Sequence, residues 1–247
     1  MSKDSSHPVL SLHDVRVSYG RTEVVKGITF DVKPGETYGF MGLNGAGKTT
    51  LIKAILGLHD HKGGTIEIDG QDNSRAESKR VVAYLPERFD PPWFLKGREF
   101  VRFSCSLYKR VPADEEIDRL AERLSLDPAV LKNRVQTYSK GMRQKLGLLA
   151  TLLTGCPFLI LDEPMSGLDP RARACVKDVL RHAKEEGRTF FLSSHILADM
   201  DEICDRVGVL HEGVLAYTGT PADLRKSQKE DNLEQAFLRV IEAPVAA

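Results

Sequence analysis

A glycine-rich stretch in the first quarter of the chain constrains the fold more than any other feature. It reads Gly42-Leu43-Asn44-Gly45-Ala46-Gly47-Lys48-Thr49-Thr50, which fits the pattern of two glycines with four residues between them, followed by Lys and Ser/Thr. A strand-like apolar run precedes it and a helical pattern follows it. In that context glycines let backbone N–H groups converge on phosphate oxygens, and the helix N-terminus adds partial positive charge. The stretch therefore predicts a phosphate-binding loop.

The last residues of this loop predict specific contacts with a nucleoside triphosphate. The Lys48 ammonium is expected to bridge the β- and γ-phosphates, and the Thr49 hydroxyl to ligate Mg²⁺. The motif alone establishes only that a triphosphate binds.

Composition narrows the class of protein. The 247 residues are 41% hydrophobic and 28% charged with a net charge of zero, which indicates a globular chain and no nucleic-acid partner. No apolar run approaches the length of a membrane span, and Met1 to Pro8 lacks the apolar core of a signal peptide. We therefore expect a cytoplasmic location, with any membrane task needing a separate subunit.

Cysteine and histidine spacing gives no positive sign of a metal centre. The four cysteines form no CxxC pair, which is typical of reduced intracellular thiols. His59 and His61 are close in sequence, and we expect a surface loop there rather than a metal site, which would need further ligands.

The pattern of elements predicts an α/β fold with a helical insertion. Residues 10–18 and 22–32 alternate like antiparallel strands, whereas 81–85 and 158–161 are continuous apolar runs typical of buried parallel strands. Helical patterns dominate between them, from about Glu87 to Thr154. A charged stretch over 225–231 precedes a last amphipathic helix over 233–241.

Polar residues after two buried strands are candidates for catalysis. Asp162 and Glu163 follow the run 158–161, where the carboxyl end of a central strand faces the ligand crevice. Asp162 is expected to hold Mg²⁺ through a water, and Glu163 to accept a proton from an attacking water. His195 ends the next strand and is expected to donate to the γ-phosphate.

Tyr19 stays open between two interpretations. It lies at a strand end before Gly20, where its ring is either a stacking platform for a purine or a buried strand residue. The spacing does not distinguish them.

Taken in order, these motifs resemble the ATP-binding subunit of an ABC transporter over nearly the whole chain. The matching positions are Tyr19, Gly42 to Thr50, Glu87 at the usual Gln position, Tyr138 to Gln144 as the signature, Leu159 to Glu163, Ser166 to Asp169 as the dimer loop, and His195. The resemblance implies a P-loop NTPase fold, with a RecA-like core, an antiparallel β subdomain and an inserted α-helical subdomain. It further implies one domain divided into a core (1–88 and 155–224), a helical subdomain (89–154) and a tail helix (225–247).

The resemblance also implies a head-to-tail homodimer with two ATP molecules at its interface. Ser139 and Gly141 of one subunit would close over the γ-phosphate held by Lys48 of the other. These residues precede an apolar helical run, so they are expected at a helix N-terminus, which favours an anion. Lys140 would add positive charge there.

Two departures from the family pattern point to a subgroup. The usual signature Leu-Ser-Gly-Gly-Gln has Tyr138, Lys140 and Met142 in place of Leu, the first Gly and Gln. Glu87 replaces Gln, and its carboxylate would bind Mg²⁺ directly while adding negative charge. Together with the closing segment 232–238, these variations resemble ABC-2-type exporters, which implies a separate transmembrane permease and a peripheral position on the inner face of the membrane.

Other functions stay open at this point. An importer ATPase, a regulatory nucleotide-binding module and a soluble ABC-type ATPase of DNA repair or translation share the same motifs, although the last needs a coiled-coil insertion or a second ATPase half. Trp93 and Phe94 are either anchors for the permease or residues packed inside the helical segment.

Overall fold

Residues 7–242 are described by the computed structural model, and within them two β-sheets carry the fold. The smaller sheet is antiparallel, in the order β2-β1-β4-β5, and consists of β1 (Leu10–Tyr19), β2 (Thr22–Val32), β4 (Gly63–Ile68) and β5 (Gln71–Asp72). The larger sheet, in the order β10-β9-β3-β8-β7-β6, consists of β3 (Thr37–Gly42), β6 (Val82–Leu85), β7 (Phe158–Asp162), β8 (Thr189–Ser193), β9 (Arg206–His211) and β10 (Val214–Gly219). Its strands pair in parallel except for β10, which is antiparallel to β9.

Helices pack around these sheets. They are α1 (Lys48–Ile55), α2 (Ala76–Lys79), α3 (Gly97–Ser106), α4 (Asp114–Arg123), α5 (Lys140–Leu153), α6 (Pro170–Glu185), α7 (Leu197–Ile203), α8 (Pro221–Gln228) and α9 (Leu233–Glu242). Helices α3 to α5 lie between β6 and β7, where the sequence predicts a helical insertion. The α/β fold class is therefore confirmed.

The two sheets differ in burial for a reason visible in their sequences. Strand β1 buries Leu12, Val15 and Val17 while the residues between them are half-buried or exposed. Strand β3 is buried at all six positions because it lies between β8 and β9 and has neighbours on both faces. The phosphate loop follows β3, so it begins at a fully buried inner strand of the large sheet.

Two hydrophobic clusters hold the layers together. One lies between the sheets around α1 and includes stacked rings of Phe30, Tyr38 and Phe191, with centroids 5.0 to 6.0 Å apart. The other joins the opposite face of the large sheet to α5 through residues such as Leu149 and Leu161. Helix α5 thus forms part of the same core as strand β7.

The tail and the aromatic loop differ in part from the sequence-based expectations. The charged stretch 225–231 is largely the end of α8, which begins after Thr220; the final helix is confirmed as α9. Trp93 and Phe94 are 64% and 56% exposed, so packing inside the helical segment is wrong for them. Residues 1–6 of the polar N-terminus and 243–247 of the tail lie outside the described range.

None of the helices in residues 7–242 is both long enough and apolar enough to cross a bilayer.

Candidate active site

The phosphate loop connects β3 directly to α1. Gly47 precedes the first helical residue with φ at 109°, and Gly45 has φ at 83°, both in the left-handed region that favours glycine. A Cβ at Gly47 would also lie 3.2 Å from the Val24 carbonyl oxygen of β2. Glycine is thus required at residue 47 by backbone conformation and by close packing, and the loop can turn tightly into the helix.

Lys48 is buried inside this loop. Its Nζ donates to the carbonyl oxygens of Gly42, at 2.7 Å, and Leu43, at 3.3 Å. Burial lowers the pKa of the Lys48 ammonium, and the nearby carboxylates of Glu163, Asp162 and Glu87 act in the opposite direction. The cation is held by backbone dipoles within a site that favours a further anionic partner.

Asp162 lies at the carboxyl end of β7 and receives two hydroxyl hydrogen bonds. The Ser193 Oγ donates to Asp162 Oδ1 at 2.5 Å, and the Thr49 Oγ1 donates to Asp162 Oδ2 at 3.1 Å. Burial raises the pKa of the Asp162 carboxyl, and these two hydrogen bonds lower it. The contact joins the start of α1 to the end of β7, so oxygen ligands from two elements lie together.

Glu163 adopts an unusual backbone conformation beside Asp162. Its φ is 52°, which is uncommon for a residue with a side chain. Its N–H donates to the carbonyl oxygen and to the Oγ of Ser193, at 3.2 and 3.1 Å. Its Oε2 lies 2.7 Å from the Nδ1 of His195, whose side chain is 57% exposed. Such strained residues persist where neighbours fix them and are common in active sites.

These residues line one open cleft of about 380 Å³ at the carboxyl edge of the large sheet. The lining consists of Val24, Asn44, Gly45, Gly47, Lys48, Thr49, Thr50, Glu87, Asp162, Glu163 and His195. The fold therefore brings together the phosphate loop, the acidic pair, the histidine and the residue at the usual Gln position. Gly42, Leu43 and Ala46 belong to the same loop but do not line the cleft.

Tyr19 lies outside this lining. Its ring is 50% exposed, so the interpretation as a buried strand residue is wrong. The ring stacks on the imidazole of His59 with centroids 4.5 Å apart and planes 16° from parallel. One face of the Tyr19 ring is thus occupied by His59, and only its other face is available for a ligand.

The signature segment lies at the start of α5, as expected. Ser139 caps the helix, its Oγ accepting from the Met142 N–H at 3.2 Å, and Lys140 is exposed beside it. A Cβ at Gly141 would meet Leu168 and Gly167 at 3.5 and 3.6 Å, so the signature packs beside the loop Ser166 to Asp169. This surface does not line the chain's own cleft.

Sequence reasoning missed two residues that support the acidic pair. Ser193 bonds both Asp162 and Glu163, and the available signal was its place directly after a buried apolar run, like that of Asp162. Gln144 is 6% exposed and donates from Nε2 to the carbonyl oxygens of Glu163 and Pro164. A buried polar residue on the apolar face of α5 was its signal.

The parallel sheet, the phosphate loop and the acidic pair define a P-loop nucleotide-binding ATPase domain. The model of the ABC transporter family matches residues 25–166, which is more than half of the chain. The chain therefore belongs to the ABC transporter family, and the prediction of an ATP-binding ATPase domain of this family is confirmed.

The chain is similar to several ATP-binding proteins of ABC transporters. An uncharacterized ABC transporter ATP-binding protein of Synechocystis is 37% identical over 83% of this chain, which spans only 58% of that relative's length. The Nod factor export ATP-binding protein I of Ralstonia nicotianae is 30% identical over 98% of this chain and 78% of its own. A solved ATP-binding subunit of an ABC transporter superposes with a TM-score of 0.87 at 31% identity, over 94% of this chain and 99% of its own.

Proposed function

We propose that this chain hydrolyses ATP as a head-to-tail homodimer and thereby drives export through a separate transmembrane permease. The observation that carries the proposal is the meeting of Lys48, Thr49, Asp162, Glu163 and His195 at one cleft. A phosphate-binding cation, a hydroxyl, two carboxylates and an imidazole supply every role that phosphoryl transfer to water requires.

Glu163 is the proposed general base. Its carboxylate would accept a proton from the water that attacks the γ-phosphorus, as the bond to the bridging oxygen breaks. The 2.7 Å contact with His195 and the hydrogen bonds that the Glu163 N–H donates to Ser193 fix its orientation. His195 is largely exposed, so its ring is also accessible to the γ-phosphate.

The residues beside the phosphate loop fit Mg²⁺. The Thr49 hydroxyl and the Asp162 carboxylate are 3.1 Å apart, and Glu87 lines the same cleft. These are hard oxygen donors, which Mg²⁺ prefers together with water and substrate phosphates. Bound there, the ion would neutralise charge on the phosphates; Thr49, Asp162 and Glu87 would hold it.

The exposed signature supports a composite site. Ser139, Lys140 and Gly141 present a helix N-terminus and a cation to solvent, away from the chain's own cleft. A second copy would bring this surface over the phosphates held by Lys48, while the free face of Tyr19 would stack on the adenine. ATP would then stabilise the dimer by mass action, and hydrolysis would release it.

The helical segment is the proposed link to the permease. Trp93 and Phe94 are exposed, contact each other edge to face, and follow the Glu87 position by a few residues. Aromatic side chains of this kind are typical interface anchors. We assign residues 89–154 to a helical subdomain, 1–88 with 155–224 to the core, and the remainder to the tail.

Export is favoured over import by two features. The signature variant with Lys140 and the Glu87 substitution resemble the ABC-2-type subgroup, and one similar protein is named for export of Nod factor. An importer ATPase is the alternative. Inverted membrane vesicles, in which the cassette faces the medium, separate the two: export predicts ATP-driven accumulation of the permease's substrate, whereas an importer gives none.

Steady-state hydrolysis with a trapped dimer tests the ATPase proposal directly. The wild-type chain should release phosphate from ATP in the presence of Mg²⁺, and Glu163→Gln should form a dimer with ATP in size-exclusion chromatography with light scattering. A chain that binds ATP but stays monomeric in this variant would contradict the composite site.

A further inference from the structure

Gln144 is a buried polar side chain on α5, and both of its hydrogen bonds go to the backbone directly after β7. It is 6% exposed, and its Nε2 donates to the carbonyl oxygens of Glu163, at 3.3 Å, and Pro164, at 3.1 Å. A buried amide is stable only where such partners exist, because leaving it unpaired costs free energy. The position of Gln144 is therefore tied to the backbone that follows β7.

This bond completes the fixation of Glu163. The N–H of Glu163 is bound by Ser193, its carboxylate by His195 and its carbonyl oxygen by Gln144. With φ at 52°, the residue needs such constraints to keep its conformation. Ser193 and His195 belong to the end of β8 and the loop after it, so Gln144 is the contact from the helical segment.

The same helix also carries the signature. Ser139 caps α5, and Gln144 follows five residues later, about 7.5 Å along the helix axis. Between these two residues α5 is continuous helix. The signature end and the Glu163 carbonyl group are therefore connected through one uninterrupted helix and the Gln144 hydrogen bond.

We infer that Gln144 is a positioning residue that couples the two ATP sites of the dimer. The inference rests on the proposed function: in a head-to-tail dimer, the signature of one subunit faces one ATP, and its Glu163 serves the other. Closure of the signature on the first ATP then sets the carboxylate at the second, through α5 and Gln144. The coupling runs within one chain, between residues that never share a nucleotide.

The test replaces Gln144 by methionine, which has nearly the same length and no N–H donor. The matched control is Thr151→Val, which removes a buried hydrogen bond to the Gly147 carbonyl oxygen on the same helix, away from Glu163. Measurements are kcat, KM, the Hill coefficient for ATP, ATP affinity by calorimetry, and the midpoint of thermal unfolding.

Coupling through Gln144 predicts a specific pattern. Gln144→Met should lower kcat about tenfold, since hydrogen bonds that hold the base are lost, with ATP affinity within about twofold of wild type. Its Hill coefficient should fall from above one to about one. Both variants should lower the unfolding midpoint by a similar amount, since each loses a buried hydrogen bond. Thr151→Val should leave kcat and the Hill coefficient unchanged.

Several outcomes would overturn the inference. Equal kcat and Hill coefficients in Gln144→Met and Thr151→Val would reduce Gln144 to a packing role. A wild-type enzyme that hydrolyses ATP with a Hill coefficient of one would remove the coupling while leaving the proposed function intact. A wild-type chain without hydrolysis overturns the proposed function and this inference with it.

Discussion

Two regions of the molecule differ in burial and in support from neighbouring elements. One is the phosphate loop with its acidic partners, and the other is the signature segment. Lys48, Asp162 and Glu163 are between 1% and 7% exposed and are held by hydrogen bonds from neighbouring elements. Ser139 and Lys140 are exposed at a helix N-terminus. The first region is pre-organised for a ligand before any association. In the proposed dimer, the second would meet a nucleotide held by the other subunit, so substitutions there are expected to affect the dimer rather than the isolated chain.

Removal of the general base should have the largest effect. Glu163→Gln is expected to slow ATP turnover by about 100- to 10,000-fold, because the amide cannot accept the proton of the attacking water. ATP binding should be retained, since Lys48 and the loop are unchanged. Phosphate release assays together with ATP titration check both statements. Turnover at the wild-type rate would remove Glu163 from its role.

Removal of the loop cation should come next and should act on binding. Lys48→Met is expected to weaken ATP affinity about 100-fold, because charge-assisted bonds to the phosphates are lost. Burial lowers the pKa of Lys48, which means that the fold disfavours the charged side chain. Met relieves this burial cost but also loses the hydrogen bonds to the Gly42 and Leu43 carbonyl oxygens, which opposes this gain, so the unfolding midpoint of the variant should stay close to that of wild type in differential scanning calorimetry. A large loss of stability would instead make Lys48 a structural residue.

A methyl group in the signature should damage only the dimer. A Cβ at Gly141 has neighbours no closer than 3.5 Å within the chain, so Gly141→Ala fits the isolated subunit. Over the phosphates of a second copy it overpacks the interface, and turnover should fall about tenfold. Unfolding and ATP binding by the monomer should be unchanged. A variant that dimerises and hydrolyses ATP normally would place the signature away from the nucleotide.

The smallest effect is expected for the base contact. Tyr19→Ala should weaken ATP affinity by at most about tenfold, the value of one aromatic contact, and should leave the affinity for inorganic triphosphate unchanged. Tyr19→Phe is the control that keeps the stacking ring. Equal losses for ATP and inorganic triphosphate would mean that Tyr19 supports the fold of the loop rather than the base.

Local patterns explain what the sequence predicts well. The strands that flank the phosphate loop follow from alternation and from continuous apolar runs, and the loop itself follows from glycines that need positive φ. The acidic pair is predictable because polar residues at the carboxyl end of a buried parallel strand lie at the edge of the sheet where ligands bind. Thr220 and Pro221 were available as the cap and first residue of α8, but the charge of the stretch after them hid the helix.

Contacts between distant segments explain what the sequence leaves open. Gln144 and Glu163 are 19 residues apart, and nothing in the periodicity of α5 indicates which backbone group its amide meets. The residue type alone also does not predict whether an aromatic side chain is buried. The exposure of Trp93 therefore follows only from the positions of the helices around it. The stacking of Tyr19 on His59 depends on the pairing of β1 with β4, which brings the loop before β4 to the end of β1.

Trp93 has one more consequence, because it is the only tryptophan of the 247 residues and 64% of it is exposed. Intrinsic tryptophan fluorescence of this chain therefore reports on a single surface point beside Phe94. Nucleotide binding in the cleft can be followed by other probes, whereas contact of a partner with this point would shift the emission to shorter wavelength. The fluorescence of Trp93 can therefore detect the docking of a partner independently of ATP hydrolysis in the cleft.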